Sequence, residues 1–337
     1  MHTPSATIEH MDYAREGVRN LVENVAHVQA GQRVLILSEY GKVEREIADL
    51  IAEAVKAARA EYHVLWAEPL DMSVTEIPRV LMSAMRAADQ VIYTVPATRG
   101  DGSVSVVERF LDRTEAPRQV INNFCTLEQM ASSHARFPWG VASAIYDVFE
   151  ETCAQGKPWR IITPTGTDVR GTIGIADERR LAGLDFPYRV IFPHRVHRPI
   201  GSDDAAGVIV VEACSGPPLN IQHPPSAIVR NNEIVRVEGS PDAAIYQQAL
   251  DESRKRWGDG AYTIDSWHGG LHPYAPDVPG LAGQGCVARM HFHVGKTQVR
   301  VGADLHNYSL EVDGKLLIDQ GRLAMLDVPE IRKAVGL

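Results

Sequence analysis

The feature that most constrains this chain is a regular alternation, over its first half, of short apolar runs with longer amphipathic ones. Residues 32–39 (QRVLILSE), 62–67 (YHVLWA), 90–96 (QVIYTVP) and 119–124 (QVINNF) are near-continuous apolar segments of strand length. Between them, 43–60, 75–88 and 104–111 carry apolar residues at helical spacing, and 9–29 reads as a helix leading into the first strand. Strands apolar on both sides and separated by helices indicate a parallel sheet covered on both faces. Residues 1–157 are therefore expected to form a Rossmann-like, doubly wound α/β domain.

Beyond that point the pattern changes. Short strand candidates at 160–165, 189–193, 207–213, 227–229 and 233–238 are punctuated by Gly, Pro and Asn. Ser240-Pro241 opens a helix, DAAIYQQALDESRKRW, because Ser suits the cap and Pro the first turn. Residues 258–285 lack periodicity and read as a long loop, a length more often functional than idle. Residues 287–314 alternate like antiparallel strands and end in an Asp313-Gly314 turn. The expected fold class is α/β: an N-terminal doubly wound parallel-sheet domain, then a C-terminal α+β domain with antiparallel strands over 158–337.

Composition narrows the function. The chain carries 34 Lys+Arg against 43 Asp+Glu, a net charge of −9. Nucleic-acid binders usually show a basic balance or stripe, so nucleic acid is not an expected partner. No apolar run approaches the ~20 residues of a membrane helix, and the N-terminus has no signal-peptide pattern. Cys125, Cys153, Cys214 and Cys286 are widely spaced, as in a reduced, cytoplasmic chain rather than a disulfide scaffold. Nucleotide signatures are missing: no G-x-G-x-x-G follows a strand, and Glu151 and Pro158 break the one Walker-like stretch around Gly156-Lys157. There is no G-x-S-x-G elbow and no H-E-x-x-H.

Histidine is what stands out. Four of the 13 histidines, His268, His272, His291 and His293, fall within residues 268–293, where even spacing would put one. His291 and His293 are two apart in a strand-like stretch, so both imidazoles point to one face. His268 and His272 flank Gly269-Gly270 and precede Pro273, which favours a loop folding over that face. Imidazole suits Zn, Fe, Cu and Ni. These four are the expected metal ligands, with ordinary packing roles as the alternative. Trp267 and Tyr274 wall an aromatic pocket in the functional reading and are core in the bland one. A second cluster, Phe192-Pro-His-Arg-Val-His-Arg-Pro199, concentrates His194, Arg195, His197 and Arg198. Arg195 and Arg198 are candidates for a substrate carboxylate or enolate, since a guanidinium forks onto such anions. The alternative is a solvated loop in which Asp203 and Asp204 pair the arginines.

Five stretches occur in a telling order: the strand and Gly-Thr-Asp turn at 163–169, SDDAAGVIVV at 202–211, IVRVEGSPDA at 234–243, the loop ending Gly270-Leu-His-Pro273, and LEVDG at 310–314. With the first-half layout, they resemble the group containing aminopeptidase T and 2,5-dihydroxypyridine 5,6-dioxygenase, over most of the chain. The resemblance implies a metalloenzyme that forms homo-oligomers and acts on a small molecule. Its aminopeptidases are two-metal enzymes with Glu, His, Tyr and Asp ligands. Its pyridine dioxygenases hold one Fe(II) with two His and an Asp and open an N-heteroaromatic ring. In both, a His-x-Asp pair shortly precedes the late Asp-Gly turn. Here, ungapped, Arg300 and Gly302 stand at those positions, and only a gapped reading brings in Asp304 or His306. His268 resembles the first His ligand, which implies a rearranged, His-rich site.

Three activities follow as expectations. The first is Fe(II)-dependent opening of a small hydroxylated aromatic or N-heterocyclic ring with O2, with His194, His197 or His306 as acid or base. The second is a hydrolase of a cyclic amide or peptide using Zn or Mn. The third is a homologue that holds no metal and binds a small molecule.

Overall fold

A computed structural model describes residues 4–68, 78–94, 118–175, 189–193, 195–201, 203–273, 285–295, 301–327 and 329–334. Its first sheet pairs β1 (Arg33–Glu39), β2 (Glu61–Ala67), β3 (Gln90–Thr94), β4 (Arg118–Asn122) and β7 (Arg189–Phe192). All neighbours are parallel, in the order β2-β1-β3-β4-β7. β1 shows why the run is apolar throughout. Val34 and Ile36 enter the core under helices α1 (Pro4–Arg19) and α2 (Arg45–Ala57), while Leu35 and Leu37 pack with Leu81 and Met85 of α3 (Arg79–Ala87) on the other face. The helix expected at 104–111 lies outside the described residues.

The second half builds two antiparallel sheets. The larger runs β13-β12-β9-β6-β5-β17-β18, made of β5 (Pro158–Ile162), β6 (Asp168–Thr172), β9 (Ala206–Val210), β12 (Ser226–Arg230), β13 (Glu233–Glu238), β17 (Ser309–Val312) and β18 (Lys315–Ile318). The smaller runs β16-β15-β14-β8, made of β8 (Arg195–Pro199), β14 (Ile264–Gly270), β15 (Arg289–Val294) and β16 (Val301–His306). A short β10–β11 ribbon (Cys214–Ser215 and Pro218–Leu219) accompanies them. The two larger sheets share one core, in which Trp159 of β5 meets Phe292 of β15 at 6.2 Å between ring centroids.

The chain does not keep each half to itself. β7, from beyond residue 157, is the fifth strand of the parallel sheet. Helix α5 (Trp139–Thr152), from before it, sends Ile145 and Phe149 into the core of the antiparallel sheets. The region 258–285, read as a loop, contains β14. Its sequence, IDSWHGG, alternates small or polar residues with a single aromatic, so hydrophobicity alone does not reveal the strand.

Cross-strand register decides which side of the small sheet each residue faces. Arg198, Trp267, Phe292 and Ala303 stand opposite one another across the four strands, all buried. Trp267 is fully buried, edge-on to Phe149. Arg198, a candidate for a substrate anion, is instead turned inward. Its side chain is 5% exposed and ion-paired with Glu150 of α5. Removing one partner of a buried pair strands the other charge and costs about 3–5 kcal/mol. Glu150→Ala should therefore lower the unfolding free energy by about 3 kcal/mol, measured by chemical denaturation; an unchanged midpoint would show the pair to be solvated.

Candidate metal centre

The opposite face of the same sheet carries the histidines. His197, His268, His291 and Asp304 form one row across β8, β14, β15 and β16, each paired with the next. The next row places Ser266 beside His293 and His293 beside Gly302. This follows from a period of two: in His-Phe-His the phenylalanine enters the core and both imidazoles leave it. His268 is thus placed by a strand, not by a loop.

The rings touch. His197 and His268 are 4.3 Å apart between centroids, His268 and His293 4.3 Å, His268 and His291 4.9 Å, and His291 and His293 4.8 Å. One nitrogen each of His197, His268 and His293 lies within 4.8 Å of the others, the one such donor group among the described residues. His291 Nε2 lies 2.9 Å from His293 Nε2. Two neutral imidazoles cannot meet lone pair to lone pair, so a proton or a cation must lie between them. The three mutually close nitrogens of His197, His268 and His293 fit a divalent metal that accepts imidazole nitrogen, and His291 stands against His293 at the edge of that group. On the far side of His293, Nδ1 lies 3.1 Å from Ser266 Oγ, which is 3.3 Å from Asp265 Oδ2. Such a contact orients the ring with Nε2 toward the cluster.

Two carboxylates lie close by. Asp304 is half-buried at the end of the histidine row. Glu212 accepts from His306 Nδ1 at 3.1 Å and from Thr165 at 2.5 Å. Burial opposes its ionisation, but the bonds from His306 and Thr165 outweigh that and hold its carboxyl below the usual range. Both are among the few carboxylates that the sequence offers near the histidines, and the period-two strand at 301–306 puts Asp304 and His306 on one face.

The other expected site residues lie elsewhere. His272 sits past the end of β14, against Cys286, with its ring 4.7 Å from His134 and 4.3 Å from Phe137. Gly269-Gly270 carries the chain there: a side chain at Gly270 would collide with the Gly285 backbone. A cavity of about 20 Å³ is lined by His134, His272, Phe137, Trp139, Phe192 and Leu271, room for one water. Arg195 lies on β8 opposite Gly270. His194 and Tyr274 fall outside the described residues.

With this geometry in hand, the solved structures are informative. The 2,5-dihydroxypyridine dioxygenase from Pseudomonas putida KT2440 superposes with a TM-score of 0.68 at 14% identity, covering 94% of this chain and 98% of that one. The chain has the fold of that enzyme. AmpT from Thermus thermophilus follows with a TM-score of 0.56 at 11% identity, covering 93% of this chain and 99% of that one. Both match over almost the whole length, as the resemblance read from the sequence implies. No protein-family model matches the chain, and no curated protein is significantly similar to it. Among the described residues no helix is long and apolar enough to cross a membrane.

The His134–His272 pair makes a pH prediction. Burial, then its neighbour His272, pushes His134 down to about 3, and burial pushes His272 down to about 4. In the unfolded chain both titrate near 6.5. As pH falls the unfolded chain takes up these protons first, so the stability they contribute is whole above about pH 6.5 and is lost toward pH 4 and below. His134→Phe should flatten the stability profile between about pH 6.5 and 4 in denaturant titrations; an unaltered acid slope would contradict the burial of these imidazoles as neutral groups.

Proposed function

We propose that this chain is a metal-dependent enzyme acting on a small molecule at the histidine face, and that its reaction is the O2-dependent opening of a hydroxylated aromatic or N-heterocyclic ring at iron(II). The observation that carries the reading is the convergence of His197, His268 and His293 on one point, with His291 and Asp304 in the same row. A largely imidazole set leaves most of the metal's charge for a substrate oxyanion, and bound iron would supply the redox chemistry that couples O2 to ring opening. The chain's own contribution is positional. Ser266 fixes His293, and the strand pairing fixes the row. The similarity in fold to 2,5-dihydroxypyridine dioxygenase supports this choice of substrate class.

A second reading, metal-dependent hydrolysis of a cyclic amide or peptide with zinc or manganese, draws on Asp304, a carboxylate beside the histidines, and on the fold shared with AmpT. The two readings part on metal and co-substrate. Protein purified anaerobically without chelator should contain about one iron per chain and consume O2 with 2,5-dihydroxypyridine. His268→Ala should lose metal and turnover together while keeping its melting temperature. Ser266→Ala should weaken metal affinity by about tenfold, the usual cost of an outer partner. Zinc with amide cleavage would favour the hydrolase, and a chain that takes up no metal would refute both.

A further inference from the structure

The parallel sheet ends on one side at β2, and among the described residues that end is open. Two hydrogen bonds fix which way its backbone points. Glu61 N–H donates to Gln32 O, and Tyr40 N–H donates to Ala67 O, both toward the β1 side. In a ladder of this kind the N–H and C=O of one residue point to the same side, and successive residues alternate. Glu61, His63, Leu65 and Ala67 are therefore bonded toward β1, and the backbone groups of Tyr62, Val64 and Trp66 point outward. Among the described residues those outward groups have no backbone partner.

The side chains of the same three residues stand beside Val34, Ile36 and Ser38 on one face of the sheet. Tyr62 is 39% exposed and Val64 36%, and Trp66 stacks at 5.5 Å on Tyr40, itself 53% exposed. An open apolar strand edge is a template for another strand, and sheets ordinarily blunt it with lysine, proline, a bulge or a cover. The other ends of the three main sheets do so. β13 carries Glu233, Arg236 and Glu238 and a register shift against its neighbour, and β18 starts at Lys315 beside a shift of its own. β7 runs into Pro193, β16 is bonded to Ala213 and Gly216, and β8 is bonded to Gly174. β2, seven residues long, has none of these devices.

The occupant that fits is a second copy of the same strand. In an antiparallel pair, outward residues must stand opposite outward residues. Of the registers that satisfy this, the one centred on Val64 alone overlaps the full strand with itself. Val64 then meets Val64 of the copy, and Tyr62 and Trp66 meet each other on either side, each pair exchanging two N–H···O bonds. Aromatic and β-branched cross-strand pairs are stabilising, and no like charges meet: Glu61 stands opposite Ala67 and His63 opposite Leu65. The contact is the same patch on both chains, so it closes with a two-fold axis.

We propose that the β2 edge is a homodimer interface, in which two copies join their parallel sheets antiparallel through Val64 into one continuous sheet. The inference is independent of the metalloenzyme reading.

The test is sedimentation velocity of the full chain up to about 50 μM. Wild type should sediment as a dimer or a multiple of one. Val64→Lys, which sets two ammonium groups at the axis, should raise the dimer dissociation constant at least about tenfold while leaving the melting temperature unchanged. Val64→Thr should keep it within about twofold, because threonine suits a strand as valine does. Val64→Cys supplies a positive readout. All four native cysteines are buried, and bonded antiparallel residues stand about 5.5 Å apart between Cα atoms, within disulfide reach, so diamide should join two chains at this exposed thiol. A monomeric wild type would overturn the proposal and leave the edge to a foreign strand. An assembly that Val64→Lys leaves intact, or Val64→Cys protein that forms no cross-link, would overturn it as well. If Val64→Lys fails to fold, the cross-link alone decides.

Discussion

Everything distinctive about this molecule depends on the two-residue period of one four-stranded sheet. Its inner row, Arg198-Trp267-Phe292-Ala303, is sealed against α5 and the larger antiparallel sheet. Its outer row, His197-His268-His291-Asp304, is held in position by that seal. A one-residue slip of any strand would exchange the two rows. Burying Trp267 and Phe292 completely therefore fixes the register of the histidines as much as it stabilises the core. The cluster is preorganised because its backs are packed, not because the imidazoles attract one another.

The chemistry around the row points the same way. Cys214 lies beside Asp304, while Cys153 lies by Arg198 on the core side of the sheet, and burial pushes both thiols up to about 12, which keeps them protonated at neutral pH. Glu212 shows the opposite management of charge: it is kept ionised by three donors despite its burial. One face thus combines a cluster of imidazole nitrogens, a half-buried carboxylate and a carboxylate-held imidazole.

Much of the fold was legible in the sequence. Near-continuous apolar strands such as 32–39 and 119–124 can only be covered on both faces, and the parallel sheet follows. The Asp313-Gly314 turn and the 163–169 turn stand where composition puts them. The site was legible in part. His291 and His293 announce a shared face through their spacing, yet nothing local says that β14 and β8 lie beside them. Residues 264–270 are too polar to look like a strand, so His268 was expected on a loop. Arg198 was expected at a surface because a lone sequence cannot show that Glu150, 48 positions earlier, waits for it inside. Long-range register, not residue type, is the missing information. Two solved structures share this fold with the chain at 11–14% identity.

The most direct test is a crystal structure of the anaerobically purified protein with anomalous data collected at the absorption edge of whatever metal it retains. This account places a single peak among the ring nitrogens of His197, His268 and His293, within about 2.0–2.2 Å of each. A peak held by Glu212 and His306, or a histidine row with no peak in protein that carries metal elsewhere, would contradict it.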